Sequence, residues 1–297
     1  MKSVAEELCM DWKTVKELDK EYMREQILVA GEVFPKYIGV DEISVKQGHE
    51  YRIVVSDLET RRVIWFGGKD RSEESMDEFY KWLGEAKNSG IRLIVMDMWK
   101  AFRNSARKYT PQAEILYDKF HLIRHLNDAM DEVRRQEVRR LIGTRKKWVK
   151  GQRYHLLSNR DNLTLDGQRA LKELFKRNQR LYKAYLLKES FGQLWDYTYP
   201  GSARKFFDNW RKSLKWQRLK PYESYARMVD AHWDGIVSHC KEENKVALGF
   251  VEGLNNKIRQ IQRRAYGLRD EEYLKLKVLT CMLPNLKTLQ NQAILPT

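Results

Sequence analysis

An α/β fold, with a mixed sheet flanked by helices and interrupted by a large all-α insertion, is the class this 297-residue sequence predicts. Three observations carry the expectation. Over residues 36–117 short apolar runs alternate with stretches of helical period. Over 119–248 the helical period continues with no convincing strand. Helical segments stand at either end, at 1–30 and from 249 onward. The two apolar periods, about 2 and about 3.6 residues, separate strands from helices. The expected organisation is therefore 1–30, 36–118, 119–248 and 249–297.

In chain order, VAEELCMDWKTVKELDKEYM gives a short helix, a break at Met10–Asp11 and a second helix that the Asp11 side chain can cap. The pair suits either the last two helices of a helix-turn-helix or an ordinary helical hairpin. KYIGVDEISV reads as the first strand, and YRIVVSDLET and RRVIWFGG form a hairpin turning near Asp57–Thr60. SEESMDEFYKWLGEAKNSG reads as one helix, with Ser72 as N-cap, a stripe of Met76, Phe79, Tyr80 and Leu83, and a stop at Gly90. IRLIVMD is a continuous apolar run, suited to a strand buried on both faces. WKAFRNSARKY is a short helix and AEILYD a further strand. The hairpins make the early strands antiparallel, and the later strands are parallel crossovers. Four helical stretches fill the insertion: HLIRHLNDAMDEVRRQEVRRLI, LDGQRALKELFKRNQRLYKAYLLKESFGQLWDY, PGSARKFFDNWRKSLKW and YESYARMVDAHWDGIVSHC.

Composition limits the function. Hydrophobic residues make up 42% and charged residues 33%, with a formal net charge of +15. The isoelectric point is near 9.6 and the mean hydropathy −0.69. Such a basic excess points to a polyanionic partner, nucleic acid first. The three cysteines, Cys9, Cys240 and Cys281, form no metal or disulfide pattern and fit reducing, cytoplasmic surroundings. No apolar run approaches the ~18 residues a membrane span needs, and the N-terminus has no signal-peptide character.

Three carboxylates stand out. Asp41 and Asp97 each close an apolar strand, and Glu252 opens a helix rich in amides and cations. If the first strand lies beside the fourth, Asp41 and Asp97 are neighbours at about 4.8 Å strand spacing, close enough to share a metal pair about 3.5–4 Å apart. A late helix packed on the sheet can add Glu252. This is the ribonuclease-H-like arrangement. Asp97 is equally placed to cap the helix after Trp99. Glu42 points to the opposite face from Asp41. Asp118 is either a fourth carboxylate or the cap of the next helix. His121 and His125 share a helix face without a third ligand.

Basic stretches supply candidate DNA contacts. Beside Glu252 lie Asn255, Asn256, Arg259, Arg263 and Arg264. Asp131–Arg153 holds nine Lys/Arg against three acids and includes Lys146 and Lys147. Gly201–Lys220 holds seven against one and includes Arg204 and Lys205. These cations suit phosphate contacts. The aromatics among them fit base stacking or a helix core, with Phe206, Trp210 and Leu214 at core spacing.

The strings GVDEISVKQGHEY, VMDMWKAF, YDKFHLIRHLNDAMDEVRR and EGLNNKIRQIQRRAYGLRDEEYLKLKVL, spread over about residues 36–282, resemble the catalytic core of ISL-three-family insertion-sequence transposases. These are bacterial DDE enzymes of ribonuclease-H-like fold. The resemblance implies a catalytic and metal-binding triad of Asp41, Asp97 and Glu252, two Mg²⁺ ions with Mn²⁺ as a substitute, and cleavage followed by strand transfer. Its implied partners are double-stranded DNA, as terminal inverted repeats and target, and further copies of the chain, in the bacterial cytoplasm with the nucleoid. It gives Asp118 and His121, within a D-x-x-H motif at the start of the insertion, a supporting role. Family members carry a zinc-binding region and a complete helix-turn-helix; this chain begins within the latter, so a shortened member is expected. The alternatives are a DNA-binding protein without turnover and a resolvase or ribonuclease that cuts without joining.

Overall fold

The computed structural model describes residues 2–46, 50–246, 249–264 and 270–294; at 2, 46, 252 and 292–294 it describes the backbone alone. The chain forms two compact units, Met1–Ile115 with Val246–Thr297, and Leu116–Lys245.

The first unit opens with helices α1 (Lys2–Glu7) and α2 (Trp12–Val29). Asp11 caps α2, its side chain accepting from the Lys13 N–H at 2.8 Å. Strands β1 (Tyr37–Lys46), β2 (Glu50–Asp57) and β3 (Arg62–Gly67) form an antiparallel meander. Asp57 builds the second turn by accepting from the Glu59 N–H at 3.0 Å and the Thr60 hydroxyl at 2.7 Å. Helices α3 (Glu73–Leu83) and α4 (Glu85–Asn88), strand β4 (Leu93–Met96), helix α5 (Lys100–Tyr109) and strand β5 (Glu114–Tyr117) follow. The sheet order is β3-β2-β1-β4-β5, with β1 parallel to β4. This mixed α/β architecture is the ribonuclease-H-like core the sequence predicts.

One helix was expected through Gly90, and the structure divides it. Gly84 adopts φ +86°, a left-handed conformation that ends α3, and α4 restarts from it. The predicted cap and stripe are in place. Ser72 accepts from the Ser75 N–H at 3.1 Å, and Met76, Phe79, Tyr80 and Leu83 are buried.

In the second unit α6 (Lys119–Arg139) leads into α7 (Gly143–Gly151), α8 (Arg153–Leu157), α9 (Leu165–Arg177), α10 (Gln179–Phe191), α11 (Pro200–Ser213), α12 (Lys220–Ala231) and α13 (Trp233–Val237). No strand occurs in it beyond the end of β5 among the described residues. The long stretch 165–197 breaks at Asn178, whose side chain accepts from the Leu181 N–H at 2.9 Å and caps α10. Helices α7 and α8 lie between the first and second of the helical stretches that the sequence predicts. The α11 core stripe also differs by one position. Ala203, Phe207, Trp210 and Leu214 are buried, whereas Phe206 is half-buried against Tyr197.

The chain returns to the first unit through α14 (Gly249–Arg264), α15 (Glu271–Thr280) and α16 (Leu286–Ile294). Leu254 and Ile258 of α14 and Leu274 and Val278 of α15 bury one sheet face with Ile43, Val54, Val63 and Phe66. Helix α3 covers the other, Phe79 meeting Trp65 edge-on at 5.8 Å. Helix α2 docks on α15. Met23 packs with Tyr273 and Leu276, and buried Lys20 pairs with Asp270 and Glu272, each at 3.0 Å. The Lys16 ammonium at 2.5 Å from Asp270 holds that carboxyl well below the usual carboxylate range.

Candidate active site

The parallel register of β1 and β4 pairs Gly39 with Val95. Asp41 and Asp97 each stand two residues past that pair, Asp97 immediately after β4, and the charges of both reach Glu42. Both carboxylates are half-buried, and each accepts a hydrogen bond from the next backbone N–H: Glu42 to Asp41 Oδ1 at 2.7 Å, Met98 to Asp97 Oδ1 at 2.6 Å. These bonds restrict rotation and leave the remaining oxygens to other partners.

Helix α14 approaches the same face of β1. Val251, Leu254 and Ile258 recur at helical spacing and are buried. The approach is close because Gly39 has no side chain. A Cβ there would lie 2.9 Å from Ser56 Oγ, 3.0 Å from Val251 Cγ2 and 3.1 Å from Leu58 Cδ2. Asn255, one turn beyond Val251, donates its amide N–H to Asp41 Oδ2. The sequence suggests a DNA contact for Asn255; the residue is instead 7% exposed and turned inward, because the helix stripe that faces the sheet includes it. Its Oδ1 is buried with no hydrogen-bond partner among the described residues. Asn256, Arg259, Arg263 and Arg264 are exposed on α14. Glu252 lies on α14 one turn before Asn255; its side chain is outside the described residues.

On the opposite face Glu42 pairs with Arg71, Nη1 to Oε1 at 3.2 Å. Burial pushes the Glu42 carboxyl up and the charge of Asp41 adds to it; Arg71 opposes both, and Asp97 pushes further. The Arg71 guanidinium lies 4.4 Å from the Tyr51 ring centre and 4.7 Å from that of Trp99. Sequence reasoning did not single out Arg71. Nothing local marks it among 56 Lys/Arg, since its partners come from three other segments.

The donor set suits a hard divalent cation. Carboxylate oxygens are the preferred ligands of Mg²⁺ and Mn²⁺. Among the described residues no group of three or more His, Cys, Asp or Glu is placed to hold a metal; the Glu252 side chain is not among them.

Comparison with known proteins adds the family. A family model described as "Transposase", of the ISL3 group, matches residues 38–278. The chain belongs to the ISL3 transposase family. It is 33% identical over 281 residues to the transposase for insertion sequence element IS1001 of Bordetella parapertussis, covering 94% of this chain and 68% of that protein. It is 27% identical over 262 residues to the transposase for IS1557 of Mycobacterium tuberculosis, covering 80% of this chain and 58% of that protein. Among the described residues, no helix is long and apolar enough to cross a membrane.

The other predicted residues of this ISL3 transposase lie in its second unit. Asp118 caps α6, accepting from the Phe120 N–H at 2.9 Å, and His121 Nδ1 lies 3.3 Å from its other oxygen. His125 is exposed on the same helix. Lys146 and Lys147 are exposed on α7, and Lys205 on α11. Arg204 is held by Asp208 at 3.1 Å and Asp230 at 2.8 Å, and lies 5.1 Å from the Trp233 ring centre. Its charge is thus largely matched within the unit.

Proposed function

We propose that this chain cleaves and joins DNA strands at the ends of an insertion sequence, with Asp41, Asp97 and Glu252 holding two divalent metal ions. The observation that supports the reading is the hydrogen bond from Asn255 to Asp41, which fastens the helix of Glu252 to the strand beside Asp97. Bound Mg²⁺ would supply activation of the attacking oxygen and stabilisation of the leaving one, with Mn²⁺ able to substitute. Asp41 and Asp97 contribute hard, rigidly held oxygens, and Asn255 fixes the orientation of Asp41. Asn256, Arg259, Arg263 and Arg264 face solvent along α14, where they suit phosphates of the bound strand. Lys146, Lys147 and Lys205 suit duplex phosphates by charge and exposure. The substrates would be terminal inverted repeats and target DNA, and the active form an assembly of several copies.

The test is Mg²⁺-dependent nicking and joining of a labelled end duplex. Asp41→Asn and Asp97→Asn should each reduce cleavage by roughly 10²–10³-fold or more, the scale of losing a transition-state charge partner, while DNA binding persists or tightens. Chelation of the metal should have the same effect. Wild-type-like cleavage by Asp41→Asn would overturn the assignment. DNA binding by the wild-type chain with no cleavage or joining would instead mark a protein that binds element ends without turnover.

A further inference from the structure

Beneath the carboxylates, three segments converge on one guanidinium. Arg71 stands in the loop between β3 and α3. It bonds Glu42 of β1, lies over Tyr51 of β2, and lies over Trp99, two residues past Asp97. Trp99 also donates its indole N–H to the Arg71 carbonyl at 2.7 Å. The residue following Asp41 and the loop following Asp97 are therefore tied to the same side chain.

The loop that presents Arg71 is itself braced. Asp70 Oδ1 accepts from the Ser72 N–H and the Ser75 hydroxyl, each at 2.8 Å, and Ser75 Oγ accepts from the Lys69 N–H at 3.2 Å. Gly68, at φ +72°, turns the chain into this brace. Across it, Asn104 of α5 donates to Glu73 of α3 at 2.9 Å. A planar guanidinium lying over two rings is a spacer as well as a charge, a role lysine cannot copy.

We infer that Arg71, lying over the rings of Tyr51 and Trp99 and paired with Glu42, is a positioning residue that sets the separation of Asp41 and Asp97 for divalent-metal binding. The inference rests on the metal-site reading above. Arg71 touches neither metal nor DNA in this role. It holds the backbone on both sides of the site, as partners behind metal ligands generally do, and loss of such partners costs about 10–100-fold in metal affinity.

Mn²⁺ binding to the full chain, followed by electron paramagnetic resonance, tests this without relying on activity. Arg71→Met is expected to weaken Mn²⁺ binding by about tenfold or more, to raise the Mg²⁺ concentration for half-maximal cleavage in parallel, and to leave the far-ultraviolet dichroism unchanged. Arg71→Lys keeps the charge but loses the planar group over the two rings, so it should remain impaired. Wild-type-like Mn²⁺ binding by Arg71→Lys would reduce Arg71 to a counter-charge and overturn the inference. If Arg71→Met does not fold, Arg71→Lys alone decides. Asp41→Asn is the control: if it loses Mn²⁺ while Arg71→Met keeps it, only the Arg71 inference falls. If Asp41→Asn keeps full Mn²⁺ binding, the metal-site reading has failed.

Discussion

Asp41 shows how much one side chain can reveal and conceal in sequence. Its place at the end of an apolar run suggests a strand-end carboxylate; Asp97 does stand just past β4, whereas Asp41 lies inside β1, paired with Val54. The partner that orients Asp41 is Asn255, 214 positions away, and from the sequence it resembled any amide on a basic helix. Which face of α14 meets the sheet depends on Gly39, whose missing side chain lets Val251 approach. Arg71 was illegible for a like reason, since its significance lies in Glu42, Tyr51 and Trp99 meeting around it. Asn255→Ala removes a donor from the half-buried Asp41 carboxylate and should cost about 1–3 kcal/mol, measurable by urea unfolding, along with a higher Mg²⁺ requirement for cleavage. Asn255→Asp adds a like charge against Asp41 and should weaken folding further in metal-free buffer, with part of the loss recovered on adding Mn²⁺. An unchanged urea midpoint for both would remove Asn255 from the site.

Among the elements, strands and the first unit's helices were the more legible. Alternation, the Ser72 and Asp11 caps and the Met76–Leu83 stripe are local signals, and local geometry obeys them. The breaks at Gly84 and Asn178 were missed because both residues sit inside an unbroken apolar period. On α11 two adjacent phenylalanines offer two stripes, and packing against neighbouring helices selects Phe207. One junction gives a pH prediction. Asp77 of α3 is 5% exposed and accepts from Ser105 and Lys108 of α5, both at 2.6 Å. Burial alone would raise its pKa; the Lys108 and Ser105 bonds outweigh it, and the folded value lies below the usual one. A depressed folded pKa contributes stability above the unfolded value, about 3.9, and that contribution fades as pH falls through the folded value. Asp77→Asn should therefore destabilise by about 1–3 kcal/mol at pH 7, with the gap to wild type closing below pH ~4. Thermal melts across that range check it; a gap independent of pH would mean the carboxylate charge is not what joins α3 to α5.

At the scale of the molecule, the proposed function assigns the basic surface to DNA. Exposed cations occur in both units, on α14 as well as on α7 and α11. Composition made this legible, though not which cations are engaged internally: Arg204 proves to be held by two aspartates. Affinity for DNA should fall linearly on a logarithmic scale as salt rises, with a slope of about −0.9 per phosphate contact. Replacing Lys146 and Lys147 by glutamine should make that slope shallower by up to about 2 units, read by fluorescence anisotropy over a salt series. An unchanged slope would remove α7 from the DNA contacts. The central claim, that three carboxylates distant in sequence share one metal site, has a direct test. Fe²⁺ in place of Mg²⁺, with ascorbate and peroxide, cuts the backbone beside the bound ion. Cuts clustered near residues 41, 97 and 252, suppressed by excess Mg²⁺ and absent in Asp41→Asn, are the expected result. Cuts near 41 and 97 without any near 252, or a pattern indifferent to Asp41→Asn, would contradict the shared site.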